Sequence, residues 1–153
     1  LKTEGTDLPF QWIPSHTPDV TLRVIFGPHQ HHFGPEILSI FQQAVYGVTE
    51  QLDRTGIRLK GPPIREKAGL KKSIISEGVV SGVIQIPGDD QPIIILGETV
   101  TGGYRKIATV ISADLHRLGQ LRPKNKVRFT SVSQDEARIA LEEMETIIQS
   151  IRA

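Results

Sequence analysis

The sequence contains no cysteine, which excludes a disulfide framework, a cysteine nucleophile and a thiolate zinc site together. Neither sign of charge dominates: Lys and Arg number 18 against 17 Asp and Glu, a net +1. No bulk field therefore argues for nucleic acid or a membrane surface. No apolar run approaches the length of a membrane span, and no charged-then-apolar leader is present. A soluble, cytoplasmic protein is the expectation. The 153 residues suit one domain with a substantial core. The chain begins at Leu1 rather than Met, which fits a piece of a longer protein.

What is present is organised around Gly82–Leu118. Two apolar strand candidates, Val83–Ile86 and Pro92–Leu96, precede a third at Lys106–Ser112. Alternation puts Ile84 and Ile86 on one face and Val83 with Gln85 on the other. A Gln in so apolar a strand needs a hydrogen-bonding partner, so it should border a polar cavity or loop. The Gly-rich loops Pro87–Gln91 and Thr99–Arg105 lie between these strands. Gly102-Gly103 permits positive φ or close backbone approach and displays Tyr104 and Lys106. Two polar hairpins flanking one strand suggest the mouth of a site.

The flanking sequence supplies the rest of a β-rich domain. Residues 1–18 carry no clean period and read as a linker or strap, with Phe10 and Trp12 candidate anchors. Val20–Phe26 alternates as a strand. His29, His31 and His32 form the only histidine cluster; with no carboxylate pattern beside them, a solvated loop is expected rather than a metal site. Gly34–Val45 reads as a helix entered through Pro35, with Ile37, Leu38, Phe41 and Val45 as its buried stripe. Tyr46–Gln51 and Thr55–Lys60 read as strands around a turn at Asp53-Arg54. Pro62–Lys72 is a basic loop with a single acid, Glu66, and without interleaved aromatics it gives no nucleic-acid signal. Ser73–Ser76 reads as a strand, with Glu77-Gly78 its turn.

Ser112 is expected to cap a short helical turn ended by Gly119. Lys126–Val132 is a strand. The C-terminal helix is announced by Ser133 and Glu136 as a capping box, followed by Ala137, Ala140, Leu141, Met144, Ile147, Ile148 and Ile151 at helical spacing. About eight strands with two peripheral helices predict a mainly β (α+β) barrel domain over 19–153.

The runs IISEGVVSGVIQIPGDDQPIIIL and TGGYRKIATVISADLHRLGQLRPKNKVRF resemble the allophanate hydrolase subunit 2 family. That family is also called the biotin-dependent carboxyltransferase family, or the C subunit of 5-oxoprolinase. LRVIFGP (Leu22–Pro28) and LDRTGIRLKGP (Leu52–Pro62) resemble it in the same order, so the likeness covers roughly residues 20–130. Asp90 stands where the family usually has Gly, Arg105 where it often has Pro, and Thr55 where it often has Met. Family members also carry a long preceding segment with a Gly-rich motif not found here.

The resemblance implies a cyclophilin-like barrel forming the C-terminal part of a longer protein, without implying isomerase activity. It implies ATP-dependent opening of 5-oxoproline to glutamate within a multi-subunit enzyme. The alternatives are carboxyl transfer from carboxybiotin to urea or a related amide, and a non-catalytic module that binds a kinase-inhibitor partner. ATP would enter through the assembly and carboxybiotin on a partner. The partners implied are a preceding domain, a subunit of the allophanate hydrolase subunit 1 type, and a small amide or lactam substrate. Both reactions build negative charge on an oxygen and move a proton. Lys106 and the Gly102 and Gly103 N–H groups are the candidate donors. Tyr104, Asp89 or Asp114 would relay the proton, and Gln85 with Gln91 would orient the amide. Arg54 and Arg58 are candidate anion contacts, although their pattern fits solvated strand charges equally; Glu77, in the SEGVV run that carries the resemblance, either faces the site or caps its turn. Neither a Ser-His-Asp order nor a Walker-type loop is recognisable.

Overall fold

A computed structural model describes residues 17–70, 73–97 and 101–152, with side chains as far as residue 150. Seven strands close a barrel in the order β1 (Asp19–Phe26), β8 (Arg105–Val110), β5 (Val83–Ile86), β6 (Ile93–Ile95), β3 (Gly56–Lys60), β2 (Tyr46–Leu52) and β9 (Lys126–Ser131). Every barrel pairing is antiparallel except that of β1 with β9, which runs parallel from Asp19↔Lys126 to Val24↔Ser131. Closure removes free sheet edges. A two-stranded ribbon, β4 (Glu77–Gly78) with β7 (Thr101–Gly102), stands apart from the barrel sheet.

The apolar alternation of the strands fills the interior. Leu22, Val24, Ile57, Leu59, Ile84, Ile86, Ile94, Ile107, Val127 and Phe129 are all buried in one cluster, with Leu96 packed partly buried against it. Helix α1 (Pro35–Gln43) begins with Pro at its first turn, where the missing N–H costs nothing. It lays Phe41 into the core, stacked on Phe129 at 4.6 Å between ring centroids. Val45 is not part of that stripe. The helix ends at Gln43 and Ala44 turns extended, so Val45 is exposed.

Residues Ser112–Asp114 form a 3-10 turn leading into the short α2 (Leu115–Leu118), with Gly119 at its end. Ser112 is the first residue of the 3-10 turn rather than its N-cap, which is Ile111. The C-terminal α3 (Gln134–Arg152) does begin with the expected box: Ser133 Oγ accepts from the Glu136 N–H at 3.2 Å, and the Glu136 carboxylate accepts from the Ser133 N–H at 2.7 Å. Ala137, Ala140 and Met144 pack with Ile25, Ile111, Ala113 and Val132 as a small second core outside the barrel. Ile147 and Ile148, expected on that same buried stripe, are exposed, because the helix runs past the surface that covers its first turns.

The strand reading shifts around the ribbon. Ser73–Ser76 is not a strand, whereas Glu77–Gly78, expected as a turn, pairs with Gly102 and Thr101. The strap reading of residues 1–16, Lys71, Lys72, Thr99 and the Ile151 side chain lie outside what is described.

Candidate active site

Strand register decides which loops share an end of the barrel. Ile86 pairs with Arg105 and Arg58 with Ile93, so the Pro87–Gln91 loop, the Gly103-Tyr104 turn and the segment after Lys60 meet at one end. The Gly27 N–H donates to the Ile107 carbonyl at 2.7 Å, which brings the His29–His32 segment there too. The β2–β3 turn lies at the other end of β6, where the Leu96 N–H donates to Thr55 O. Arg54 sits in that turn, away from the loops it was expected to join.

A bulge aims the principal residue. Ile84 pairs with Ala108, but Gln85 pairs with Lys106, leaving Ile107 as the extra residue of β8. Strict alternation would put Lys106 on the face of Ala108, toward the core. The inserted residue instead sets it beside Gln85 on the outer face. Lys106 is buried there, and its Nζ donates to Glu77 Oε2 at 2.6 Å. Its backbone N–H donates to His29 Nδ1 at 3.1 Å, and His29 Nε2 lies 3.7 Å from Glu77 Oε1.

The preceding residue repeats the arrangement. Arg105 donates from Nε to His32 Nδ1 at 3.1 Å and from Nη1 to Glu66 Oε2, in an ion pair of which both side chains are buried. Arg105 and Lys106 thus each meet one histidine and one carboxylate. Gly27 makes the close approach possible, since a Cβ there would stand 2.5 Å from the Lys106 carbonyl oxygen.

Electrostatics follow burial and charge. Burial, reinforced by the Lys106 and Arg105 charges, lowers the pKa of His29 against the opposing pull of Glu77. Burial also lowers that of His32, with His31 and Arg105 adding to it. Both rings are therefore held neutral, with Nδ1 as acceptor and Nε2 carrying the proton. The Lys106 hydrogen bond, followed by its charge, keeps the Glu77 carboxyl below the usual range.

Gln85 is the orphan of the group. It is only 5 % exposed, and its Nε2 has no hydrogen-bond partner among the described residues. Gly102 of the ribbon covers it so closely that a Cβ would lie 2.3 Å from that nitrogen. Gln85 thus borders the polar loop as expected, but the described residues of that loop supply no acceptor.

The other expected residues divide. Asp89 does not join Lys106: its Oδ2 accepts from Arg58 Nη1 at 2.6 Å at the β3–β6 side. Gln91 Oε1 accepts from the Gly61 N–H at 2.9 Å, which ties its loop to the segment after β3. Arg58 also lines a separate 480 Å³ depression with Glu50, Gln51, Leu52, Asp53 and Ile93. Tyr104 stands exposed at the turn, and Gly103 accepts from the Ile74 N–H at 2.8 Å. Asp114 is bound by Arg23 through three hydrogen bonds and serves structure. His29, His32, Glu66 and Glu77 complete the cluster. Glu66 had one sequence signal, as the lone acid of a basic loop. The histidines, expected in a solvated loop, are claimed by the backbone of β8 and by Arg105.

A buried ammonium beside an unpaired amide N–H can meet an oxygen that gains negative charge, where low dielectric strengthens both contacts. Comparison with known proteins gives this group its setting. The family described as "Carboxyltransferase domain, subdomain A and B" matches residues 2–131. The chain belongs to this carboxyltransferase-domain family. Among curated relatives of the carboxyltransferase-type barrel, the C subunit of Escherichia coli 5-oxoprolinase is 28% identical over 131 residues, which span 85% of this chain and 42% of that protein. A putative urea carboxylase of Emericella nidulans is 30% identical over 152 residues, 94% of this chain and 12% of that one. Among solved structures, the urea carboxylase of Kluyveromyces lactis superposes with a TM-score of 0.81 at 28% identity, over 90% of this chain and 13% of that one. This chain therefore corresponds to under half the length of these relatives, which are subunits or domains of amide-processing enzymes.

Proposed function

We propose that this chain is the C-terminal barrel of a longer 5-oxoprolinase subunit, acting with its preceding domain and a partner of the allophanate hydrolase subunit 1 type. The reaction is the ATP-dependent opening of 5-oxoproline to glutamate. The observation that carries the reading is the buried Lys106 ammonium next to the unpartnered Gln85 Nε2 at the barrel mouth. A lactam oxygen offers an acceptor to both, and charge accumulating on it favours the ammonium most in the transition state. The E. coli 5-oxoprolinase polypeptide, of which this chain covers 42%, supports the choice of substrate. No Walker-type phosphate loop is recognisable in the sequence, so phosphate handling is assigned to the rest of the assembly.

Carboxyl transfer to urea is the second reading, favoured by the TM-score of 0.81 to the K. lactis urea carboxylase. Gln85 and Lys106 fit a ureido or amide oxygen equally well, since one offers a neutral donor and the other a charged one. When bound, carboxybiotin would supply the carboxyl group, while Lys106 and Gln85 hold and orient the oxygen. The full-length protein with its partner subunits should be assayed with 5-oxoproline plus ATP and, separately, with carboxybiotin plus urea. Release of glutamate only in the first supports the primary reading. In whichever reaction proceeds, Lys106→Ala should lower kcat by about 10²–10³-fold, as for loss of one oxyanion donor. Unchanged turnover would remove Lys106 from the site.

A further inference from the structure

Glu77 is an odd partner for the buried lysine of the cluster. Its side chain is 45% exposed while that of Lys106 is 9% exposed. It rides on a two-residue strand whose neighbours face solvent, with Ile75 90% and Val80 65% exposed. The barrel would bury a lysine against a carboxylate fixed in its own interior if the pair were purely architectural, as it does for Arg105 with Glu66, both nearly inaccessible. Beside Lys106 the Gln85 Nε2 is buried and has no acceptor among the described residues. One half of the site is filled by a half-exposed carboxylate, and the other half is a buried amide donor, covered by Gly102, that no acceptor among the described residues satisfies.

We propose that Glu77 is an internal stand-in for a ligand carboxylate: it caps the Lys106 ammonium in the resting chain and is displaced by a carboxylate on the substrate or product, and a second oxygen of that ligand accepts from Gln85 Nε2 as the ribbon that carries Glu77 and Gly102 yields. The identity of that ligand rests on the proposed function. Opening of 5-oxoproline turns the lactam carbonyl into the side-chain carboxylate of glutamate, the same chemical group that Glu77 places on Lys106. A carboxylated urea would present the equivalent group in carboxyl transfer. Both sources share a carboxylate a few bonds from an amide or amine, and the seat at Lys106 does not distinguish them.

If Glu77 competes for the seat, removing its charge leaves Lys106 buried and uncompensated, and an incoming carboxylate gains the contact that Glu77 gave up. The test is equilibrium binding to the full-length protein in its assembly, wild type against Glu77→Gln. Two matched pairs of probes differ in a carboxylate only: glutamate against glutamine, and malonamate against malonamide. Glu77→Gln should lower the Kd of at least one carboxylate probe by about tenfold or more, leaving its amide counterpart unchanged. Gain for glutamate assigns the seat to the lactam-opening product, and gain for malonamate to a carboxylated urea. No gain for either carboxylate, or an equal gain for its amide, overturns the proposal and leaves Glu77 a positioning residue for Lys106.

Should Glu77→Gln fail to fold, Glu77→Asp carries the same test, because the shortened side chain weakens the cap without stripping its charge. The gain must then have the same direction, and its absence overturns the proposal equally. The inference and the activity separate cleanly. Carboxylate gain in an assembly that turns over neither substrate defeats the activity reading and leaves the stand-in. Turnover without carboxylate gain does the reverse.

Discussion

His29 and His32 are neutral because the barrel mouth uses their Nδ1 atoms as acceptors, one for the Lys106 N–H and one for Arg105. Protonation of either ring would replace that acceptor with a donor beside a cation. Below the ordinary histidine value of 6.5, the unfolded chain takes up protons that the folded chain resists. Stability should therefore be level above pH 6.5 and fall as pH drops below it. Thermal melts between about pH 7.5 and about pH 5.5 should show this decline. The double variant His29→Asn, His32→Asn keeps an acceptor oxygen at each place and should flatten it. An unaltered decline would locate the titration elsewhere. Asp114 acts in a lower window: burial works to raise its carboxyl, but the Arg23 hydrogen bonds and charge hold it below the usual range. Its contribution is full above 3.8 and is lost only as pH falls beneath that value.

The residue roles are only partly legible in the sequence. Lys106 and Gln85 can be singled out because a charge and an amide interrupt apolar strands. Asp89 and Gln91 cannot be told from site residues, because a loop carboxylate reads alike whether it faces a ligand or, as here, Arg58. The histidine segment escapes for the opposite reason. Its partners are a backbone N–H and an arginine more than seventy positions away, and no local pattern announces them.

Among the elements, β5 and the bulged β8 bear the site, and β6 supports β5 from its other edge. Ile94 is fully buried between β3 and β5, so Ile94→Ala should cost roughly 2–5 kcal/mol, measurable by denaturant unfolding. A cost within experimental error would mean that the barrel core collapses around the gap. Gly27 serves position rather than core volume. Gly27→Ala drives a Cβ against the Lys106 carbonyl, and should cost about 1–3 kcal/mol through overpacking. It should also lower kcat of the assembly more than it raises KM, because the displaced backbone carries Lys106. An equal stability loss with full turnover would show that β8 shifts without moving the ammonium. The strands are readable from alternation, and α3 from its capping box. The ribbon is not: two-residue strands have no period, and Glu77-Gly78 reads as a turn until Gly102 and Thr101 are set opposite it.

At the scale of the whole molecule, the described residues hold donors and carboxylates but no activated nucleophile or phosphate cradle. Among these residues no helix is long and apolar enough to cross a membrane. The 153-residue chain alone should therefore release no glutamate from 5-oxoproline, and turnover should require both the segment preceding this barrel and the partner subunit. Appreciable turnover by the isolated chain would refute this division of labour. The closed barrel is expected from strand count together with the family likeness. Strand count alone does not distinguish a closed sheet from an open one, because closure depends on which distant strands pair.

That pairing has a kinetic consequence. The barrel is sealed by β1 and β9, with Asp19 opposite Lys126 and Leu22 opposite Phe129, so the first described strand waits for the last. During synthesis, β1 can dock on β8 once Val110 has emerged, yet its other edge stays open until β9 follows. Contacts of such sequence separation carry a loop-closure cost before they return any stability, which predicts slow, late and cooperative folding. A chain halted before Lys126 would expose two unpaired edges, on β1 and on β2, and would be prone to aggregate.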